Sequence, residues 1–490
     1  MQDTPSWSKV YELKKRLHRH DSESARYDHD SGKLTARDCV VKLMDQSSFI
    51  ETSAWLIPEI GCSGFVTGYG TVKDRPVCFA ASDGSGAMDV KQYGKVCAIL
   101  DKARLLGAPV VIRLNNEGIL QEENMAAMAA YAAVTGRLVR LSGVCPLIAY
   151  LSGACMGADA LLARLCDVTV LTMDGDVRSM LPAEFRDNAF NTELPEPSAE
   201  NTREMAARDA VSYTAEDEND AIEFIVRLLD TLPSHNLGDA PIFEMDDVNR
   251  RLQPWDSLDI VSLVHDMVDT SSVIALSNAY GQGAYTALCR FGGRSAGLIA
   301  YDETADGGCL TARAAVKAAR FIRFCDCFSL PVVTLLRSQN TVNPAVFQKD
   351  APLNAAAQLT YAYADATCPK VMVLIGPVLG LSLSIFGCMT ADVRYAWPHA
   401  FIGSRPQGHD TQVPVITVQT QPNNEDDATL ATHAEQPVQD EAGAIPAAKT
   451  GLIDDIIEPE STRQFIIASL EMLASKRETG FPKKHGNMPL

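Results

Sequence analysis

The sequence has no C-x-x-C pair and no Cys/His cluster at zinc spacing, and its 13 cysteines are an odd number scattered along the whole length. Neither a disulfide framework nor a metal site is therefore indicated. The thiols are expected to be reduced and mostly buried; the closest pair, Cys325 and Cys327, stands in the apolar run FIRFCDCFSL and reads as core. His18 and His20, in HRH, stand in a charged leader and read as solvated. Basic charge is also short: 43 Lys and Arg against 62 Asp and Glu leave a net charge of -19, which disfavours nucleic acid and anionic lipid as partners. It does not exclude an anionic small ligand, because a helix N-terminus binds phosphate or carboxylate whatever the global sign. The opening MQDTPSWSKVYELKKRL lacks the apolar core of a signal peptide and is not acid-free like a transit peptide, so a cytoplasmic location is expected.

No stretch reads as a membrane span. Val371 to Thr390, VMVLIGPVLGLSLSIFGCMT, lacks charge throughout, yet Gly376, Pro377 and Gly380 interrupt it, and the comparable earlier segment contains Asp159 and Arg164. The reading is a buried strand, a turn and a buried helix.

At 490 residues the chain exceeds the roughly 250–300 residues over which one core grows, so two domains are expected. An internal repeat supports this. DRPVCFAASD ending at Asp83 resembles GRSAGLIAYD ending at Asp302; GAPVVIRL with Pro109 resembles SLPVVTLL with Pro331; Cys145-Pro146 and Gly157 are answered by Cys368-Pro369 and Gly380; Asp167 is answered by Asp392. Order is kept, with an offset of about 220 residues. Between markers, short β-branched runs alternate with helical stretches such as KQYGKVCAILDKARLLGAP and TARAAVKAARFIRFCDCFSLP, each ending before a Pro and a new strand. That pattern is βαβ organisation, an α/β protein written twice. Residues 1 to about 50 read as a leader with a helix, 186–245 as an acidic connection with a helix at AIEFIVRLLDTLP, 406–445 as a polar, acidic, flexible excursion, and STRQFIIASLEMLASKR as a closing amphipathic helix.

Several segments carry a more specific signal. They are SGKLTARDCVVKLMDQSSFIE (Ser31 to Glu51), GFVTGYGTV (Gly64 to Val72), LLDTLPSHN (Leu228 to Asn236), KAARFIRFCDCFSLPVVTL (Lys317 to Leu335), YAYADATCPKV (Tyr361 to Val371), ADVRYAWP (Ala391 to Pro398), AAKTGLIDDIIEP (Ala447 to Pro459) and the terminal KKHGNMPL. Together they resemble, from end to end, the carboxyltransferase (beta) subunits of biotin-dependent acyl-CoA carboxylases, the propionyl-CoA and acetyl-CoA carboxylase beta-chain family. The resemblance implies two tandem crotonase-like (ClpP/crotonase superfamily) domains, divided here as residues 1–245 and 246–490.

It also implies the chemistry. In the family carboxybiotin gives up CO2, the α-proton of the acyl-CoA is removed, and the enolate attacks CO2; both developing oxyanions need donors fixed in advance, supplied by backbone N–H groups at helix starts. Carried over from the family's Gly-Gly-Ala segments, the first oxyanion hole falls on Gly157 and Ala158 and the second on Gly380 and Leu381, each half keeping one glycine where the family has two. An N–H donor survives any substitution except Pro, so Ala158 and Leu381 do not abolish the holes. Leu383 falls where the family lines its acyl pocket, and Gln121 and Arg337 are assigned to the substrate, Arg337 as a partner for a CoA phosphate or carboxylate.

The loops depart from the family. Its Asp-Val-Pro-Gly-Phe-Leu-Pro-Gly is replaced by RSQNTVNP, Arg337 to Pro344, and its Asp-Ser-Gly-Gly-Ala-Arg by LNNEGI, Leu114 to Ile119, with Gln121 and Glu122 retained. The resemblance therefore admits three functions: a carboxylase component acting on propionyl- or acetyl-CoA, the reverse decarboxylase component of methylmalonyl-CoA type, and a non-catalytic structural subunit. A hydratase or isomerase is disfavoured because no matched carboxylate pair stands beside Gly157 or Gly380. The implied cofactor is biotin on a separate carrier protein, since the family's Ala-Met-Lys-Met acceptor is absent. A coenzyme A thioester is the implied substrate and no metal is called for. Biotin carboxylase and carrier subunits are the implied partners, and a homo-oligomer, a hexamer in the family, is the implied assembly.

Overall fold

The computed structural model describes residues 7–17, 33–58, 62–83, 88–116, 118, 124–178, 199–209, 211–253, 259–302, 310–338, 352–403 and 442–478. Within them the two halves repeat one topology strand for strand. The first half supplies β1 (Ile50–Thr52), β2 (Gly64–Val72), β3 (Arg75–Asp83), β4 (Val110–Asn116), β5 (Leu147–Met156), β6 (Val168–Thr172), β7 (Asp176–Arg178) and β8 (Tyr213–Ala215). The second supplies β9 (Ile274–Leu276), β10 (Ala284–Phe291), β11 (Arg294–Asp302), β12 (Val332–Ser338), β13 (Lys370–Leu379), β14 (Val393–Ala396), β15 (Ile402–Gly403) and β16 (Asp455–Ile456). The sheet orders are β1-β2-β3-β4-β5-β6-β8, with β7 beside β5, and β9-β10-β11-β12-β13-β14-β16, with β15 beside β13. In each sheet the first three strands are joined antiparallel and the others run parallel.

The repeated sequence markers have structural duties. Asp167 accepts the N–H of Leu147 at 2.9 Å and Asp392 that of Lys370 at 2.8 Å, so each fastens the first residue of the central strand. The two Cys-Pro steps place Pro146 and Pro369 where their carbonyls accept from Val110 and Val332 at 2.9 and 2.8 Å, setting the register of the neighbouring parallel strands. The crossover helices form where the alternation predicts them. Gln92–Leu106 ends at Gly107 in the left-handed conformation, and Ala312–Cys327 begins at Thr311, whose side chain accepts from the Ala314 N–H. β5 and β13 are buried along almost their whole length, as parallel strands covered on both faces require.

One hydrophobic cluster crosses both halves, joining Phe79, Val111 and Ile225 to Phe321, Leu336 and Tyr363. Polar ties reinforce it: Ser277 N–H donates to Ser212 O at 2.6 Å, Arg320 to Cys166 O at 2.7 Å, and Ser295 Oγ to Thr231 O at 2.9 Å. The connecting helix Glu218–Thr231 is anchored at its start by Glu218, which accepts from buried Arg113 at 3.3 Å, Tyr150 at 2.6 Å and Leu34 N–H at 3.0 Å. Ile242 bridges to Arg294 and Phe243 donates to Gly293 O, so the connection is fastened to the second sheet before residue 246.

Val371–Thr390 is β13 from its second residue, the turn at Gly380, the helix Ser382–Ile385 and a 3-10 turn at Cys388–Thr390. Among the described residues no helix is long and apolar enough to cross a membrane. The leader helix runs Trp7–Leu17 and the closing helix Thr462–Met472. The described cysteines are free and mostly buried, but the pair reading of Cys325 and Cys327 needs correction: Cys325 is buried and Cys327 is exposed. The helix ends at Cys327, beyond the face that packs on the sheet. His18, His20 and residues 406–441 of the expected excursion lie outside the described residues, while its last residues, 442–445, are described and lead into the helix Ala444–Lys449, with Ala444 buried.

Candidate functional site

Both central strands outrun their neighbours and end at a glycine with positive φ. Gly157 follows β5 with φ 61°, and Gly380 follows β13 with φ 57°. These angles admit glycine and strain other residues. The chain turns sharply there and enters a helix, Ala158–Leu165 in the first half and Ser382–Ile385 in the second. No side chain caps either helix start, so the first N–H groups are left to other acceptors. A Cβ added at Gly157 would meet nothing within 4 Å; the glycine is demanded by backbone angle, and the space over it is open.

The two starts differ in their donors. Among the described residues, Gly157, Ala158 and Leu381 give their N–H to no backbone carbonyl, whereas the Gly380 N–H donates to Gly403 O at 2.9 Å. β15 extends the sheet past β13 and takes up that donor. At the second start the free donor nearest the glycine is thus Leu381 N–H. Its side chain is 65% exposed, while Leu383 is half-buried and packs against the core shared by the halves.

Beneath each start the same pair of positions meets. β4 and β5, and likewise β12 and β13, shift register just before the last residue of the shorter strand, bringing Asn116 opposite Cys155 and Ser338 opposite Val378. Ser338 Oγ lies 2.9 Å from Ser382 Oγ, both fully buried. In the first half the matching positions are Asn116 and Asp159. Asp159 is fully buried and accepts from the Tyr93 hydroxyl at 2.6 Å. Burial pushes its carboxyl up to about 7, against the opposing influence of Tyr93 and Asn116. Sequence reasoning used Asp159 only to dismiss a membrane helix. The signal available was an acid in the otherwise apolar run GACMGADALLA.

Arg337 sits one residue before the end of β12, half-buried, with its aliphatic stem over Gly376. Its backbone pairs with Asp302 of β11, its side chain makes no hydrogen bond or ion pair with a described side chain, and by strand alternation it faces away from Ser338. Gln121, Glu122 and the loop 339–344 lie outside the described residues. A cleft of about 410 Å³ between the halves, at Asp167, Ser277, Arg320 and Phe324, includes neither turn glycine.

Comparison with known proteins gives the same picture. The family model described as the carboxyl transferase domain matches residues 27–488. The chain is 31% identical over 492 aligned residues to the methylmalonyl-CoA decarboxylase subunit alpha of Veillonella parvula, covering 94% of each chain. It is 30% identical to the mitochondrial propionyl-CoA carboxylase beta chain of Rattus norvegicus, covering 94% of this chain and 89% of that one. The crystal structure of transcarboxylase 12S, a hexamer assembly with hydrolysed methylmalonyl-coenzyme A bound, superposes with a TM-score of 0.87 at 27% identity over 100% of both chains. The two parallel-rich α/β sheets are tandem crotonase-like domains.

Proposed function

The chain belongs to the carboxyl transferase domain family, and from that premise we propose that it is the carboxyltransferase component of a biotin-dependent acyl-CoA carboxylase, moving CO2 between carboxybiotin and a short-chain acyl-CoA such as propionyl- or acetyl-CoA. One observation carries the reading: in both halves the central strand ends at a positive-φ glycine and opens into a helix whose start no side chain caps.

The N–H groups of Gly157 and Ala158 hold one oxyanion and the Leu381 N–H the other. They are fixed before reaction by the strand behind them and the helix ahead, so little reorganisation accompanies charge development. The bare Gly157 lets a planar thioester or urea come within contact of the backbone. Bound carboxybiotin supplies the CO2 and the nitrogen that takes the α-proton. Arg337, without a partner among the described residues, offers a bidentate contact to a phosphate or carboxylate of the substrate, and the half-buried Leu383 borders the acyl group. Biotin carboxylase and a biotin carrier act as separate chains, and the assembly is a hexamer, as transcarboxylase 12S is. The relative named as a decarboxylase subunit favours testing the reverse direction in the same assay.

The test is decarboxylation of malonyl- and methylmalonyl-CoA with free biotin or a carrier domain, comparing wild type with Ala158→Pro and Leu381→Pro. Ala158 is the first helical residue and Leu381 has φ -71°, so proline suits both positions and removes one donor at each. Turnover that falls about 100-fold in either variant supports the reading. Acyl-CoA binding without turnover by wild type, carrier present, replaces it with the non-catalytic subunit.

A further inference from the structure

Asp159 is out of place for an acid. It is the second residue of a helix whose start no side chain caps, and it has no solvent exposure. Among the described residues its Oδ1 has no hydrogen-bond partner, and neither does the Nδ2 of Asn116 beside it. The surroundings are apolar: Phe65, Val96, Leu114, Leu138 and Leu162 line the same small cavity. In that medium a charge is weakly screened. The second helix start has an uncharged serine, Ser382, at the matching position.

Asp159 also has a route for its proton. Tyr93, from the helix Gln92–Leu106, donates to Oδ2, and its hydroxyl is 3.5 Å from that of Tyr131, from the helix Asn124–Leu141. Tyr131 is half-buried, and its hydroxyl lies 3.6 Å from where a Cβ on Gly118 would stand, as does the carbonyl of Met156, the residue before Gly157. The titratable side chains that reach Asp159 are Tyr93, with Tyr131 behind it, and Cys166, on the cavity wall. Tyr93 is held well above its ordinary value by burial and by Asp159, and burial raises Cys166 as well. Among the described residues no cation faces the carboxyl.

We propose that Asp159 is a positioning residue whose proton gates the first oxyanion site: neutral, it braces the helix start through Tyr93 and leaves the field of the N–H groups to the reacting oxyanion; ionised, it opposes that oxyanion from within the same turn. The inference rests on the carboxyltransferase reading of Gly157 and Ala158. It gives the first site a dependence on pH that the second, built on Ser338 and Ser382, does not share.

The experiment is the pH profile of methylmalonyl-CoA decarboxylation between pH 6 and 9 for the full-length protein, Asp159→Asn and Tyr93→Phe, with fold checked by circular dichroism at each pH. Wild-type kcat is expected to fall by tenfold or more as pH rises through the Asp159 titration near 7, with KM nearly constant. Asp159→Asn, which keeps a neutral group of the same shape, is expected to lose that decline. Tyr93→Phe removes a hydrogen bond that favours the charged form and is expected to move the decline up by about one pH unit. An unchanged decline in Asp159→Asn overturns the proposal; so does a correctly folded Asp159→Asn that is inactive at pH 6. If that variant does not fold, an unshifted decline in Tyr93→Phe overturns it. Wild type without turnover at any pH instead sinks the carboxyltransferase reading, and the gate with it.

Discussion

Gly153 and Asn115 share one space across adjacent strands: a Cβ on Gly153 would stand 2.4 Å from Asn115 Oδ1. The relationship recurs in the second half, where a Cβ on Gly376 would stand 2.9 Å from Arg337 Cγ. Each central strand thus carries a glycine so that a side chain near the end of its neighbour can lie across it. The duplicated fold has kept the vacancy and changed its occupant from a neutral amide to the aliphatic stem of an arginine.

The two vacancies predict different outcomes for alanine. Gly153 has φ 105° and its Cβ would meet a short, buried side chain, so Gly153→Ala is expected to lower stability by about 2–3 kcal/mol. At Gly376 the nearest atoms belong to the flexible Arg337 stem. Gly376→Ala is expected to leave unfolding within about 1 kcal/mol of wild type while weakening acyl-CoA binding several-fold. Denaturant unfolding and isothermal titration separate the cases.

Arg337 is a cation near the second site that pairs with no described residue. Arg337→Ala is expected to raise the KM for acyl-CoA about tenfold with kcat nearly kept, the loss of one charge-assisted contact. Arg337→Lys is expected to recover only part, because an ammonium lacks the planar fork. An unchanged KM would remove Arg337 from the substrate site.

Asp269 collects one corner of the second half: Oδ1 accepts from Arg463 at 2.6 Å and Gly292 N–H at 3.1 Å, and Oδ2 from Gly293 N–H at 2.7 Å. The pair is buried, so Asp269→Ala is expected to cost about 3–5 kcal/mol by leaving the Arg463 charge with only the more distant Asp246, 3.8 Å away, to face it. Arg251 and Glu460, 3.5 Å apart with side chains 67% and 45% exposed, are the control. Breaking that pair is expected to change stability by less than about 1 kcal/mol.

Buried acids give stability its own pH dependence. Burial raises Asp159 to about 7 and Asp167 to about 6, from 3.8 in the unfolded chain. The unfolded state loses its protons first as pH rises, so the stabilisation is complete below about pH 4 and is lost as pH rises to 7 for Asp159 and to 6 for Asp167. Asp159→Asn is therefore expected to gain on wild type between pH 5 and 8, by a margin on the order of a few kcal/mol. A melting-temperature difference that is the same at both ends of that range would contradict this.

Much of the frame was legible because the repeat is written in residues with local duties. Pro109 and Pro331 stand just before strands, Gly157 and Gly380 need positive φ, and Asp167 and Asp392 fasten a strand's first N–H. Asn116, Ser338 and Ser382 were not legible as a site. Nothing in their local sequence tells that a register shift will carry a strand end beneath a helix start 44 residues away, as in the Ser338–Ser382 contact.

The sequence by itself determined the duplicated βαβ order, the family and the two turn glycines, since these follow from apolar periodicity, from punctuation by Pro and Gly, and from motifs read in order. Tertiary structure alone decided which N–H groups stay free. β15 reaches past β13 and occupies the Gly380 donor, leaving Leu381, while Gly157 and Ala158 remain open. It also turned Asp159 inward to Tyr93 and laid the Arg337 stem over Gly376. Hydrogen-bond occupancy and burial depend on what distant strands bring alongside, and no spacing along the chain encodes that.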